Sequence, residues 1–333
     1  MKQLANLKKN TFIILIITFV ILYFVLKDDF TNIQNSFQNV NIKYTLIAII
    51  FYFISLFLRG YSNYLIINDK EKVSLLEAVR LNIVIQFING ITPFATGGQP
   101  VEMYLLTKHN IPATKAMNQT IQGFIFYQIA LVICGMMAVL YNYFFPLFPK
   151  IKMLQYGVFG GFLINIGVVI FLLSISLSKT ITTKIVKTII KVLKIMKIKI
   201  NEEKVKEKIE EYSQGFIEIK KRRYLTSTGI ILNVLGLLFL YTVPLFVIKA
   251  VDITRNIGMT DILVASSYVY IIGSFIPVPG SSGGIEYAFS QFVGCLIPKQ
   301  IVGASLILWR TITYYVGMVM GAILLNVEKK EKK

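Results

Sequence analysis

Two stretches of this chain share one pattern. "TPFATGGQP" spans residues 92–100 and "PVPGSSGGIEY" spans 277–287, so Pro93, Gly97 and Gly98 are spaced like Pro279, Gly283 and Gly284. An acid follows each glycine pair, Glu102 or Glu286, at different offsets. Proline and paired glycine interrupt a helix. Interrupted backbone survives in hydrocarbon only where protein buries it or where it lines a wet cavity. If a helix begins after each glycine pair, its free N–H groups and the positive end of its dipole make an anion site suited to a phosphate. Thr92, Thr96, Ser281 and Ser282 would add hydroxyl donors there. The same glycines could instead serve only close packing against neighbouring spans.

Two further charges lie in apolar runs. Arg59 falls within 44–67 and Arg310 within 300–326. A lone charge at such depth costs ~2.5–3.5 kcal/mol or more on insertion scales, so each arginine calls for a partner. Glu286 is expected to face Arg310, and Glu102 to face Arg59, either as structural ion pairs or as a polar path for a charged headgroup. Glu77 and Arg80, one turn apart, are expected to pair locally. Tyr104, Tyr287, Tyr314 and Tyr315 either line a polar cavity or sit at membrane interfaces. Cys134 and Cys295 read as buried small hydrophobes. The single histidine, His109, stands beside Lys108 in a polar connection and reads as a surface residue. Neither a CxxC pair nor a metal-ligand cluster is present, and no cofactor is expected. A nucleotide-binding G-x-x-x-x-G-K-[ST] is also absent, so ATP is not expected to drive any process directly.

The elements that must position these residues follow from composition. Of 333 residues, 55% are hydrophobic and 16% charged, which points to an all-α polytopic membrane protein. Apolar runs at 11–26, 44–67, 116–141, 155–177, 224–248 and 300–326 are long enough to be full spans. The run at 11–26 follows a basic N-terminus but lacks a small-residue cleavage site, so it reads as a retained first span. Segments 75–106 and 261–297 are too long for one span. Each leg, at 1.5 Å per residue, reaches only ~22 Å against a core of ~30 Å. Both therefore read as re-entrant helical hairpins. The net charge of +18 fits the positive-inside bias and anionic lipid, not nucleic acid.

Charge fixes the threading. Residues 179–223 hold fourteen Lys or Arg against six Asp or Glu, so this connector should be cytoplasmic, as should both termini. With both odd segments re-entrant, the chain forms one transmembrane domain over 1–333. Its first half is 1–145 with a hairpin at about 75–106. Its second half is 146–178 and 224–327 with a hairpin at about 261–297. The halves have the same element order in opposite orientation, an inverted-topology repeat, and broken segments at matching places in such repeats point to a transporter's binding site. Within the connector, residues 179–200 set lysines among isoleucines at helical spacing. That suits contact with anionic inner-leaflet lipids or a plain basic linker.

"NGITPFATGGQPVEMYLL" and "PVPGSSGGIEYAF" resemble the two signature hairpins of the membrane domain of lysylphosphatidylglycerol synthases, and the resemblance covers nearly the whole chain. It implies a lipid flippase of the bacterial cytoplasmic membrane that moves aminoacylated phosphatidylglycerol or another polar-headgroup lipid. The headgroup would bind at Arg59, Thr92, Pro93, Thr96, Gly97, Gly98, Glu102, Ser281, Ser282, Gly283, Gly284, Glu286 and Arg310. The chain ends at "NVEKKEKK" just after its last span, so aminoacyl transfer is not expected of it. A separate synthase and a homodimer are compatible with this picture. Two other classes stay open: a secondary transporter of a small polar solute, and an accessory subunit that recruits a lipid-modifying enzyme. A cysteine introduced at Asn201 should be labelled from the cytoplasmic side. Labelling only from outside would overturn the threading.

Overall fold

A computed structural model of the chain describes residues 40–67, 73–148, 152–178 and 222–326, with scattered positions between 180 and 191. The expected span at 11–26, most of the connector and the tail beyond 326 lie outside the described residues. Every regular element described is helical. In chain order these are α1 (Ile42–Ile66), α2 (Leu75–Ile91), α3 (Gly98–Lys108), α4 (Ala113–Phe144), α5 (Lys152–Leu177) and α6 (Arg223–Val251). They are followed by α7 (Met259–Gly273), α8 (Gly284–Phe292), α9 (Lys299–Arg310) and α10 (Val316–Asn326). A π turn, Thr311–Tyr315, joins α9 and α10 into one interrupted rod. Among the described residues five helices are long and apolar enough to cross a membrane: α1, α4, α5, α6 and the α9–α10 rod. They coincide with five of the six expected spans.

Helix α1 starts at Asn41, whose side-chain oxygen accepts from the Lys43 N–H at 3.0 Å and whose own N–H donates to the Ala250 carbonyl at 2.8 Å. That contact ties the start of α1 to the end of α6. The two helices run antiparallel, and small residues let them close up. Gly229 lies against Ser62, and Gly236 against the stem of Arg59 and the Ser55 carbonyl. Ser62 donates to the Gly229 carbonyl at 3.0 Å, and the Asn233 amide donates to Ser62 at 2.8 Å. Between spans immersed in lipid there is little hydrophobic drive to associate, so close backbone approach and interhelical hydrogen bonds must do it.

The same logic seats the last helix on the first hairpin. Gly317 and Gly321 form a G-x-x-x-G face on α10. Gly321 meets Phe87 and the Ile83 carbonyl of α2, and Gly90 of α2 meets Met318 and Tyr314. Arg80 near the start of α2 donates to the Leu324 carbonyl at 2.7 Å, so α2 and α10 are antiparallel.

Both odd segments are helical hairpins. Helix α3 folds back on α2 and α8 on α7. At 17 and 15 residues, the longer legs α2 and α7 extend ~25 Å and ~22 Å, each short of a ~30 Å core. The base of the first hairpin sits by Leu324, at the end of the α9–α10 rod, and its tip residue Gly90 touches Tyr314. The second hairpin ends near the start of the rod, where Gly294 packs on Val302, while its tip residue Gly280 reaches Arg310. The hairpins thus approach from opposite ends of one helix, and their turns touch halfway along it.

A bulky residue at Gly321 should wedge α10 away from α2. Gly321→Leu is expected to cost about 1–3 kcal/mol of stability, read as earlier thermal unfolding in detergent. Gly160→Leu, at a glycine with open space beside it, should leave the melting temperature near wild type.

Candidate functional site

The turns between the hairpin legs have matching backbones. Phe94 and Ala95 in the first, and Gly280 and Ser281 in the second, take left-handed φ values between 51° and 63°. Ala95 and Ser281 donate to the carbonyls three residues back, at 3.2 and 2.8 Å, and Thr96 and Ser282 do the same at 3.3 Å each. Proline at the head of each turn presets φ and removes an N–H that would otherwise need an acceptor. The surroundings differ. Pro93 through Thr96 are exposed, whereas Ser282 is buried.

Glu286 and Arg310 organise the second turn. The Glu286 Oε2 accepts from the Gly283 N–H at 2.6 Å, so the carboxylate caps its own helix α8. Its Oε1 lies 2.7 Å from Arg310 Nη2, and the two side chains are 0% and 4% exposed. This is an ion-pair contact without full hydrogen-bond alignment, which leaves Oε1 and the Arg310 Nε–H with unused capacity. Nη2 also donates to the Gly280 carbonyl at 3.2 Å and approaches Ser282 Oγ at 3.5 Å. The π turn that follows places Tyr314 under the guanidinium, 4.3 Å from ring centre to Cζ. Such π turns occur often at functional positions. The Tyr314 hydroxyl donates to the Gly90 carbonyl at 3.1 Å, so one residue pair on the last rod touches both hairpins.

The expected second pair, Glu102 with Arg59, does not form. Helix α3 packs on α2 and α4, and half-buried Glu102 there has no hydrogen bond or ion pair among the described residues. Arg59 points the other way, from α1 toward α4, with its Cζ 4.5 Å from the Tyr127 ring centre. Tyr52 and Tyr241 lie within electrostatic reach of Arg59, and Tyr270 within reach of both Arg59 and Arg310. Tyr270 stacks on Tyr241 at 5.2 Å and meets Trp309 edge-on at 6.2 Å; Trp309 stacks on Phe289 at 4.7 Å. The result is a cluster of aromatic and polar side chains from α1, α4, α6, α7, α8 and α9. Arg59, Tyr127 and Tyr270 are half-buried. Ser55 Oγ, the Tyr241 hydroxyl and Trp309 Nε1 are buried without partners among the described residues. Gln86 donates to the Tyr52 hydroxyl at 2.9 Å.

The glycine pairs prove to be sites of close packing. A Cβ at Gly97 would strike Thr92, one at Gly98 would overlap the Asn89 amide, and one at Gly284 would overlap Ile276. Thr92 Oγ1 accepts from the Gly97 N–H at 3.0 Å and Asn89 Oδ1 from the Gly98 N–H at 2.9 Å. The first N–H groups at both hairpins therefore already have protein acceptors. Ser281 donates to the Gly273 carbonyl at 2.6 Å, and Thr96 to its own turn at 3.0 Å.

Other expectations sort as follows. Glu77 pairs with Arg80 at 2.6 Å, and His109 joins them, its Nε2 lying 3.1 Å from Glu77 Oε1, where a simple surface residue was expected. Tyr104 and Tyr287 are exposed. Cys134 is buried as expected, but Cys295 is exposed, because the short turn Gly294–Leu296 carries it outward. Tyr127, Tyr241, Tyr270 and Trp309 were not singled out from sequence. The one available signal was the spacing of Tyr52, Ser55, Arg59 and Ser62, which puts a polar stripe on one face of α1.

A family model for the lysylphosphatidylglycerol synthase transmembrane region matches residues 11–321. The chain belongs to that family. It is also similar to a UPF0104 membrane protein of Archaeoglobus fulgidus, 25% identical over 287 residues that cover 80% of this chain and 79% of the relative. Family membership and five span-length helices make this a multi-pass membrane protein.

Removing one member of the buried pair strands the other. Glu286→Leu and Arg310→Met are each expected to cost about 3–5 kcal/mol, and the two together should recover most of that loss. Unfolding in detergent, followed for wild type and these three variants as a cycle, checks this. Additive losses in the double variant would show that the contact carries no coupling.

Proposed function

We propose that this chain translocates a polar-headgroup phospholipid between membrane leaflets. The observation that carries this reading is the meeting of two hairpin turns halfway along the last rod, beside an aromatic cluster holding Arg59, which has no ion pair among the described residues. Sites at which broken helices from two halves converge near the midplane are the pattern of secondary transporters. We read the halves as an inverted repeat. The opposite approach of the hairpins and the matched left-handed turns support it, as does the basic connector between them. The headgroup would travel between the helices past Arg59 and the two turns while acyl chains stay in lipid, passing the exposed turn at Pro93–Thr96. Arg59 and Arg310 would meet the phosphate, with Thr92, Thr96, Gly97, Gly98, Ser281, Ser282, Gly283 and Gly284 shaping the turns. Glu286 would hold Arg310, and Glu102 would read the headgroup from α3. The family description brings forward aminoacylated phosphatidylglycerol as one substrate class. The proposed setting is the cytoplasmic membrane with both termini inside.

Reconstitution tests this. Proteoliposomes with the full chain and an acyl-labelled phospholipid should expose inner-leaflet label to an external quencher. The rate should exceed that of protein-free vesicles by about tenfold or more. Glu286→Gln keeps the volume and loses the charge, so it should lower the rate by about tenfold or more at unchanged insertion. Label exposed no faster than in empty vesicles, together with uptake of a soluble solute, would replace lipid translocation by solute transport.

A further inference from the structure

Glu77 is paired with Arg80 and Glu286 with Arg310, but Glu102 meets neither a charge nor a hydrogen-bond donor among the described residues. It stands four residues after Gly98, past the free N–H groups of α3, so it cannot cap its helix as Glu286 caps α8. At helical spacing it shares one face with Gly98, Leu105 and Leu106, all buried, and with His109. Leu105 and Leu106 belong to the apolar core to which α2 contributes Leu81, Val84, Ile85 and Ile88. Half-buried Glu102 thus lies at the edge of that core, ~6 Å along α3 from the tip glycines and ~9 Å from the base at Lys108. The charged groups of the adjoining elements stand at the base: Glu77 and Arg80 on α2, Lys108 and His109 on α3, and Lys115 on α4. None of them acts on Glu102. Tyr104 is exposed, and Tyr127 of α4 is taken up by Arg59. Helix α4, which packs beside α3, carries buried polar atoms of Asn118, Gln119 and Gln122 that have no partner among the described residues. These are neutral donors and acceptors, the kind of group that passes a proton through water, and they bring no charge that would hold a carboxylate.

We propose that Glu102 is a proton-binding site: a neutral acid while the first hairpin is packed, and a carboxylate when water reaches it. The transport cycle then takes up and releases a proton there. A carboxylate without a partner in apolar surroundings is costly, and taking a proton removes the charge with no rearrangement of the helices. The step makes or breaks one O–H bond of the carboxyl and needs only water as the other proton carrier. His109, seven residues nearer the base on the same face and 3.1 Å from Glu77 Oε1, can exchange that proton with bulk water. Glu286 is tied to Arg310 and the Gly283 N–H, so a change in its charge would break the second turn. Glu102 is tied to nothing that must break. The proposal deepens the translocation reading by naming its coupling ion, and rests on it for what the proton drives.

A protonated carboxyl has an infrared carbonyl band that a carboxylate lacks. The full chain is measured in an ester-free detergent at about pH 6, where exposed glutamates are ionised. The band should be present in wild type, lost in Glu102→Gln and regained in Glu102→Asp. No difference between wild type and Glu102→Gln would overturn the proposal. In proteoliposomes, a step of one pH unit across the membrane is worth about tenfold in the distribution of a cargo that moves with one proton. The leaflet distribution of an acyl-labelled phospholipid should shift by up to about that factor in wild type and in Glu102→Asp. Glu102→Gln, which mimics the permanently protonated acid, should show no such shift, whatever its rate. A shift that persists in Glu102→Gln, or is absent from wild type while lipid still moves, would also overturn the proposal. If no lipid moves, a trapped pH dye decides. Decay of the pH step faster than in empty vesicles, and lost in Glu102→Gln, would uphold the proton site and remove phospholipid as its cargo. No such decay would overturn both readings.

Discussion

The contact between Glu286 and Arg310 decides whether the centre of this protein can exist. Halfway along the last rod of this membrane protein, two turns of irregular backbone meet. Isolated carbonyls and N–H groups in such a place are costly. Glu286 answers the Gly283 N–H and Arg310 answers the Gly280 carbonyl, and each charge is tolerable only because the other is present. The desolvation cost of two ions is large, so the pair is better understood as fixing one geometry than as adding net stability. That geometry extends outward through Tyr314, which lies under Arg310 and holds the first hairpin at Gly90.

Around that centre the helices are held by small residues and polar contacts. Gly229 and Gly236 bring α6 against α1, Gly321 brings α10 against α2, and Gly317 lets α10 approach Tyr52 of α1. The two hairpins are secured unequally. The second turn closes on a buried charged pair, whereas the first is exposed from Pro93 to Thr96, and its hairpin is held along α10 by the Gly321 and Gly90 contacts, the Arg80 bond to the Leu324 carbonyl and the Tyr314 hydroxyl.

Much of this architecture was legible in the sequence. Apolar run length located the five spans, since hydrocarbon thickness sets helix length directly. Pro93, Pro279 and the glycine pairs located both hairpins, because few residue types tolerate those turns. The cost of a lone charge pointed from Arg310 to Glu286. The same reasoning failed for Arg59 and Glu102, because symmetry of sequence does not fix which way a helix face points: α1 turns Arg59 toward Tyr127 of α4. The glycines could not reveal whether ligand or protein would meet an added Cβ; the atoms that do belong to Asn89, Thr92 and Ile276. Nor could tyrosines at mid-span be told from those at an interface, so the aromatic cluster around Tyr127, Tyr241, Tyr270 and Trp309 stayed hidden.

The two halves end with different electrostatics despite matched turns. In the second, acid and base satisfy one another and build structure. In the first, the acid on α3 and the base on α1 are separated, and neither has a protein counter-charge among the described residues. A paired charge is satisfied by its partner, whereas a guanidinium inside a bundle without one carries a cost that only an anion relieves. Any anion that binds the folded protein there would stabilise it by mass action. Position separates the two arginines: Arg310, on the rod that touches both hairpins, fixes their meeting, and Arg59 faces the Tyr127 ring on α4.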